Sequence, residues 1–86
     1  MTRLELAQRI NRLGVSVRDF QVHLGDDYRL QVVVHCLDSA GRFDEEATRE
    51  TMLRIRADLG RSWTRERLEH GAYLICAPAR KSEEAA

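Results

Sequence analysis

Hydrophobic residues recur along the chain with two different spacings, and each spacing predicts one kind of element. Apolar residues follow helical spacing from Leu6 to Leu13 behind a Thr-x-x-Glu capping box at Thr2, and they predict a helix over residues 3–13. A second helix is predicted between the N-cap Asp44 and the stop at Gly60. Its buried stripe is Ala47, Thr51, Met52, Ile55 and Leu59.

Between the two helices, apolar and polar residues alternate as they do in half-buried strands. Residues 15–24 and 28–37 are predicted to form a hairpin around a three-residue turn, which sets Leu24 opposite Tyr28. The first of these segments changes phase near residues 18–19, so we expect a β-bulge there.

The segment 62–69 fits either a helix or a strand. We favour a strand that turns at His70-Gly71 into a last strand over residues 72–77, because a lone last strand would leave a sheet of three. Pro78 ends that strand, since proline cannot donate to the ladder. A tandem duplication that pairs Gly25 with Gly71 would support the same interpretation, and chance similarity is its rival.

The resulting order, α-β-β-α-β-β, predicts an α+β fold. We expect a two-layer sandwich in which a four-stranded antiparallel sheet carries both helices on one face. Residues 1–78 are predicted to form a single domain, and residues 79–86 a disordered C-terminal tail.

Charge and composition narrow the classes of function. Fourteen basic residues balance fourteen acidic ones in a chain of 86, so no global field favours nucleic acid or an anionic membrane. No apolar stretch resembles a signal peptide or a membrane span. Two cysteines without a secretory signal indicate reduced thiols and a cytoplasmic location.

Two histidines and a cysteine near the first hairpin invite a metal or catalytic interpretation. His35 and Cys36 are neighbours in a predicted strand, so their side chains point to opposite faces, and His23 lies far from both. No second cluster supplies the ligands of a tetrahedral metal site. We therefore predict a core Cys36, no catalytic residues, no metal and no cofactor.

Surface residues offer better candidates for function. If 62–69 is a strand, Trp63, Arg65 and Arg67 share one face, and Arg29 and His35 extend it on the neighbouring hairpin. Tryptophan and arginine are favoured anchors of protein interfaces. The residues predicted to bind a partner are Trp63, Arg65, Arg67, Arg29, His35 and, on the second helix, Arg54.

These observations predict a small, non-enzymatic protein-binding module. It would be an adaptor, regulator or inhibitor of a larger assembly, of phage type for example, with a homodimer through a sheet face or edge as one form. One alternative is a nucleic-acid-binding protein that uses the Arg/Trp sheet face. Another is a small oligomeric enzyme with a site between subunits near His35 or Cys36.

The order of elements resembles, in layout, the pterin carbinolamine dehydratase-like fold. The motif of that family is a His-His-Pro run, and the nearest stretch here is His35-Cys36-Leu37. The resemblance therefore implies a fold of this layout and does not carry over the family's activity.

Overall fold

The computed structural model describes residues 1–78, which form two helices packed on one face of a four-stranded antiparallel sheet. The predicted α+β class and order of elements are confirmed. The predicted tail, residues 79–86, lies outside the described residues. The elements are α1 (Arg3–Arg12), β1 (Phe20–Leu24), β2 (Leu30–Val34), α2 (Glu45–Leu59), β3 (Thr64–Arg67) and β4 (Tyr73–Cys76).

Both helices begin where their capping residues predict. The Thr2 hydroxyl accepts the Glu5 N–H at 3.1 Å, and the Glu5 carboxylate accepts the Thr2 N–H at 2.9 Å. The hydrogen bond from the Thr2 backbone holds the pKa of Glu5 below its ordinary value, with help from the Thr2 hydroxyl. The Asp44 side chain accepts the Ala47 N–H at 3.0 Å and caps α2, which ends at Gly60.

The predicted β-bulge near residues 18–19 is wrong, because a turn occupies this position. The Asp19 N–H donates to the Ser16 carbonyl at 3.0 Å, and the Arg18 N–H donates to the Ser16 hydroxyl at 3.3 Å. The strand begins only at Phe20. The change of hydrophobic phase therefore marks the boundary between a turn and a strand.

The first hairpin keeps the predicted faces but shifts the predicted register by two residues. Leu24 pairs with Leu30 instead of Tyr28. The Gly25 N–H donates to the Arg29 carbonyl, and the Tyr28 N–H donates to the Gly25 carbonyl, both at 2.9 Å. A register shift of two residues leaves every side chain on the same face of the sheet, so the apolar side chains still meet on the helix side.

The two hairpins close with the same hydrogen bonds. In the second, the Leu68 N–H donates to the Ala72 carbonyl at 2.8 Å and the Gly71 N–H to the Leu68 carbonyl at 2.9 Å. Gly71 has φ +87° there, and Tyr28 holds the matching position in the first hairpin with φ +62°. The structural counterpart of Gly71 is thus Tyr28, and not Gly25 as the predicted duplication has it.

We expect Tyr28→Gly to stabilise the fold by about 0.5–1 kcal/mol. A left-handed backbone costs a residue with a Cβ about 1–2 kcal/mol, and the greater freedom of glycine in the unfolded chain offsets part of the gain. Tyr28 is 72% exposed, so little packing is lost. Urea unfolding measures the change. Tyr28→Ala keeps the strain and is the control; an equal gain in both variants would contradict the backbone explanation.

The core lies between the helices and the helix-side face of the sheet, whose strand order is β1-β2-β4-β3. The second strand of each hairpin is therefore central, and β1 and β3 form the two edges. Apart from Cys36, the buried apolar side chains of this core cluster are Leu6, Ile10, Val15, Phe20, Val32, Val34, Met52, Ile55, Trp63 and Ile75.

Candidate protein-binding surface

The structure does not place Trp63, Arg65 and Arg67 on an open sheet face. Arg65 lies opposite Ile75 and Arg67 opposite Tyr73, and Ile75 is fully buried beneath the helices. Because these pairs share a face, both arginines lie on the helix side of the sheet. Trp63 is only 9% exposed and belongs to the core. The expected stacking platform of tryptophan and arginine is therefore not formed.

The other predicted contact residues lie apart. The Arg29 backbone N–H donates to the Asp27 carboxylate at 3.1 Å, and the Arg29 guanidinium donates to the same carboxylate. These hydrogen bonds hold the pKa of Asp27 below its ordinary value. His35 directly follows β2, and its ring packs on Phe43 with the ring centroids 5.0 Å apart. Arg54 is exposed on α2. The six predicted residues do not make one continuous surface.

His35 and Cys36 follow the predicted alternation. His35 is exposed, whereas Cys36 is buried in the core and its Sγ lies 3.6 Å from the Thr51 hydroxyl. Cys36 and Cys76 are both free thiols. Among residues 1–78, no group of three potential metal ligands converges. Because the His35 side chain is exposed and the Cys36 side chain is buried, a single chain does not bring this imidazole and this thiol to the same substrate.

The arginines of β3 instead meet α2. Arg67 Nη2 lies 2.7 Å from Glu45 Oε1, in the first turn of α2. Both partners are exposed, so the pair contributes little to stability. A cleft of about 470 Å³ lies here, lined by Glu45, Arg49, Met52, Arg65, Arg67 and Tyr73.

Exposed apolar side chains collect at the opposite edge of the molecule, where α1 passes beside β1. We call this surface the α1–β1 edge patch. Leu4 and Val17 are each 68% exposed and line one cleft of about 370 Å³ together with Ala7 and Val22. A second cleft of the same size adjoins it near the hairpin. The large exposed apolar residues of the patch are Met1, Leu4, Val17, Leu24 and Tyr28.

Sequence reasoning missed this surface, although two signals pointed to it. Leu4 is two residues from Leu6, so it lies on nearly the opposite side of α1 from the buried stripe. Val17 is out of phase with the strand that follows it. Both deviations were signs of exposed apolar residues.

The two edges of the sheet differ in charge. β3 consists of Thr64, Arg65, Glu66 and Arg67, and charged edge strands resist pairing with other chains. β1 reads Phe-Gln-Val-His-Leu, with neither proline nor an acidic or Lys/Arg side chain. The free backbone groups of β1 are therefore the better template for an added strand.

The chain matches no protein-family model, and comparisons with curated proteins and with solved structures give no match. Neither helix of residues 1–78 has the length and apolar character needed to cross a membrane.

Proposed function

We propose that the protein is a small, non-enzymatic protein-binding module that acts through the α1–β1 edge patch. The observation that carries this proposal is the gathering of most large exposed apolar side chains of residues 1–78 at one edge. Contiguous exposed apolar surface is typical of interaction sites on small proteins. Its setting beside an uncharged edge strand adds a row of backbone hydrogen-bonding groups.

The backbone at Tyr28 gives independent support. The second hairpin uses glycine at the matching loop position, whereas the first holds an exposed tyrosine in the left-handed region. Strained residues persist where they serve a function, and tyrosine is a favoured interface residue. The proposal assigns Tyr28 a contact role at the tip of the patch.

A capture experiment with matched variants tests the proposal. The tagged full chain, Leu4→Glu and Leu53→Glu are used as baits in a lysate of the native host, and retained proteins, including the untagged chain itself, are quantified by mass spectrometry. Leu4 and Leu53 are both exposed helical leucines, but only Leu4 lies in the patch. Loss of the same proteins with Leu4→Glu alone is expected; equal retention by all three baits would refute the assignment.

Nucleic-acid binding is the second candidate, and the cleft of Arg49, Arg65 and Arg67 favours it. Tyr73 lies among these arginines, while the Glu45 carboxylate neutralises part of their charge. Binding of this kind weakens steeply as salt rises, because phosphate contacts release counterions. Fluorescence anisotropy of a labelled single-stranded oligonucleotide over a salt series, with Arg65→Ala as the variant, tests this candidate.

A cytoplasmic location is part of the proposal. It is supported by the two free thiols, Cys36 and Cys76, since a reducing compartment maintains thiols. Binding of a component of a larger assembly through the patch would regulate or inhibit that assembly.

A further inference from the structure

We propose that the partner of the β1 edge is a second copy of this chain, and that two β1 strands pair antiparallel about Val22 into one eight-stranded sheet. This inference depends on the proposed function, because it names the partner of the same surface. It follows from the hydrogen-bond directions of β1, the side chains beside it and the charge of the two edges.

The backbone of β1 is self-complementary. The Gly25 N–H and the Asp19 carbonyl both bond toward the β2 side, to Arg29 and His35. Because antiparallel ladders alternate, the N–H and C=O groups of Phe20, Val22 and Leu24 point to the open edge. These three residues are symmetric about Val22.

A two-fold axis at Val22 therefore satisfies all three residues at once. Val22 faces Val22 of the second copy, and Phe20 faces Leu24 of the second copy, each as a hydrogen-bonded pair. On the other face of the sheet, Gln21 faces His23 of the second copy, so two polar side chains meet and no like charges are opposed.

The same axis brings the apolar edges together. Val22, the residue at the axis, lines the same cleft as Leu4, Val17 and Arg3, so the clefts of the two copies flank the axis. Zero net charge adds no global repulsion between identical chains. Residues 79–86 contain no large apolar side chain that would suit this cleft.

The mass of the purified full chain in solution is the first test. Analytical ultracentrifugation across the micromolar range is expected to show twice the 9.9 kDa of one chain at the upper end. Val22→Pro removes a backbone N–H that points away from β2, and an edge strand tolerates proline at such a position. The substitution is expected to weaken dimerisation by at least about tenfold. Circular dichroism checks that this variant is folded.

Cysteine pairs test the register and remain decisive if Val22→Pro does not fold. Gln21→Cys and His23→Cys chains, each in a Cys76→Ser background, are mixed and oxidised. Residues 21 and 23 face each other across the axis as a non-hydrogen-bonded pair, whose Cα atoms lie about 4.5 Å apart and so within disulfide range. Residue 21 of one copy lies about 7–8 Å from residue 21 of the other copy. The mixture should therefore cross-link at least about tenfold faster than either variant alone.

The outcomes separate this inference from the proposed function. A monomer throughout the micromolar range refutes the homodimer, and the capture experiment with Leu4→Glu then still decides whether the patch binds another protein. Cross-linking that is equally fast in the mixture and in the separate variants refutes the pairing about Val22. A dimer whose Kd is unchanged in a folded Val22→Pro variant refutes the β1 edge as its interface.

Discussion

Gly71→Ala is expected to destabilise the fold by about 2–5 kcal/mol. Two causes act together. Gly71 has φ +87°, and a left-handed backbone costs alanine about 1–2 kcal/mol. An added Cβ would also lie 2.7 Å from Cε2 and 2.9 Å from Cζ of Phe43, and such overpacking costs about 1–3 kcal/mol. The change in the free energy of unfolding is measured by urea denaturation.

Gly41→Ala separates the two causes. Gly41 has φ +80°, but an added Cβ would meet no atom within 4 Å. Gly41→Ala should therefore lower the free energy of unfolding only by the cost of the left-handed backbone, about 1–2 kcal/mol. Equal losses at the two glycines would show that the ring of Phe43 moves aside at no cost.

A double-mutant cycle tests the clash directly. In a Phe43→Leu background the ring is absent, so Gly71→Ala should cost about 1–2 kcal/mol, as at Gly41. Because the Phe43 ring packs on His35, its displacement in Gly71→Ala should also shift the imidazole resonances of His35. An unchanged His35 spectrum would contradict a displacement of the ring.

The helices were predictable because their signals are local. A capping box occupies four consecutive residues, and both halves of it, Thr2 and Glu5, are present in the sequence. The N-cap Asp44 and the stop at Gly60 act over equally short distances. Contacts within one turn of chain need no knowledge of the tertiary structure.

The register of the first hairpin was not predictable by the same reasoning. Alternation determines which face a side chain occupies, and a shift of two residues leaves every face unchanged. The loop also depends on a left-handed residue, which the sequence would assign to Gly25 and the structure assigns to Tyr28. A tyrosine gives no local signal for this conformation.

The predicted open sheet face of Trp63, Arg65 and Arg67 is not formed, and the reason is tertiary. The pattern Trp63-x-Arg65-x-Arg67 correctly indicates one shared face, but not which face of the sheet it is. Pairing with β4 decides this, because Ile75 of β4, which lies opposite Arg65, is buried on the face of the sheet that packs against α2. The edge position of β3 leaves both arginines exposed although they lie on the helix side. Strand order is a long-range property that periodicity alone does not contain.

Thr48→Val is the second large expected effect, a loss of about 1–3 kcal/mol. Thr48 is fully buried, and its hydroxyl accepts the Cys36 N–H at 3.0 Å and donates to the Asp44 carbonyl at 2.6 Å. Valine has nearly the same shape, so packing is kept while the buried Cys36 N–H loses its acceptor. This hydrogen bond ties the chain after β2 to the first turn of α2.

Amide hydrogen exchange and a matched threonine identify the cause. Thr48→Val should accelerate exchange at Cys36 more than at other core amides, whereas Thr48→Ser keeps the hydroxyl and should retain the protection. Thr51→Val is the control, because the Thr51 hydroxyl lies only partly buried beside the Cys36 thiol, a weak hydrogen-bonding partner. If Thr48→Ser lost as much stability and as much protection at Cys36 as Thr48→Val, although it keeps the hydroxyl, the hydrogen bond would not be the cause. A selective loss in Thr48→Val would instead show that one hydroxyl joins the sheet to α2.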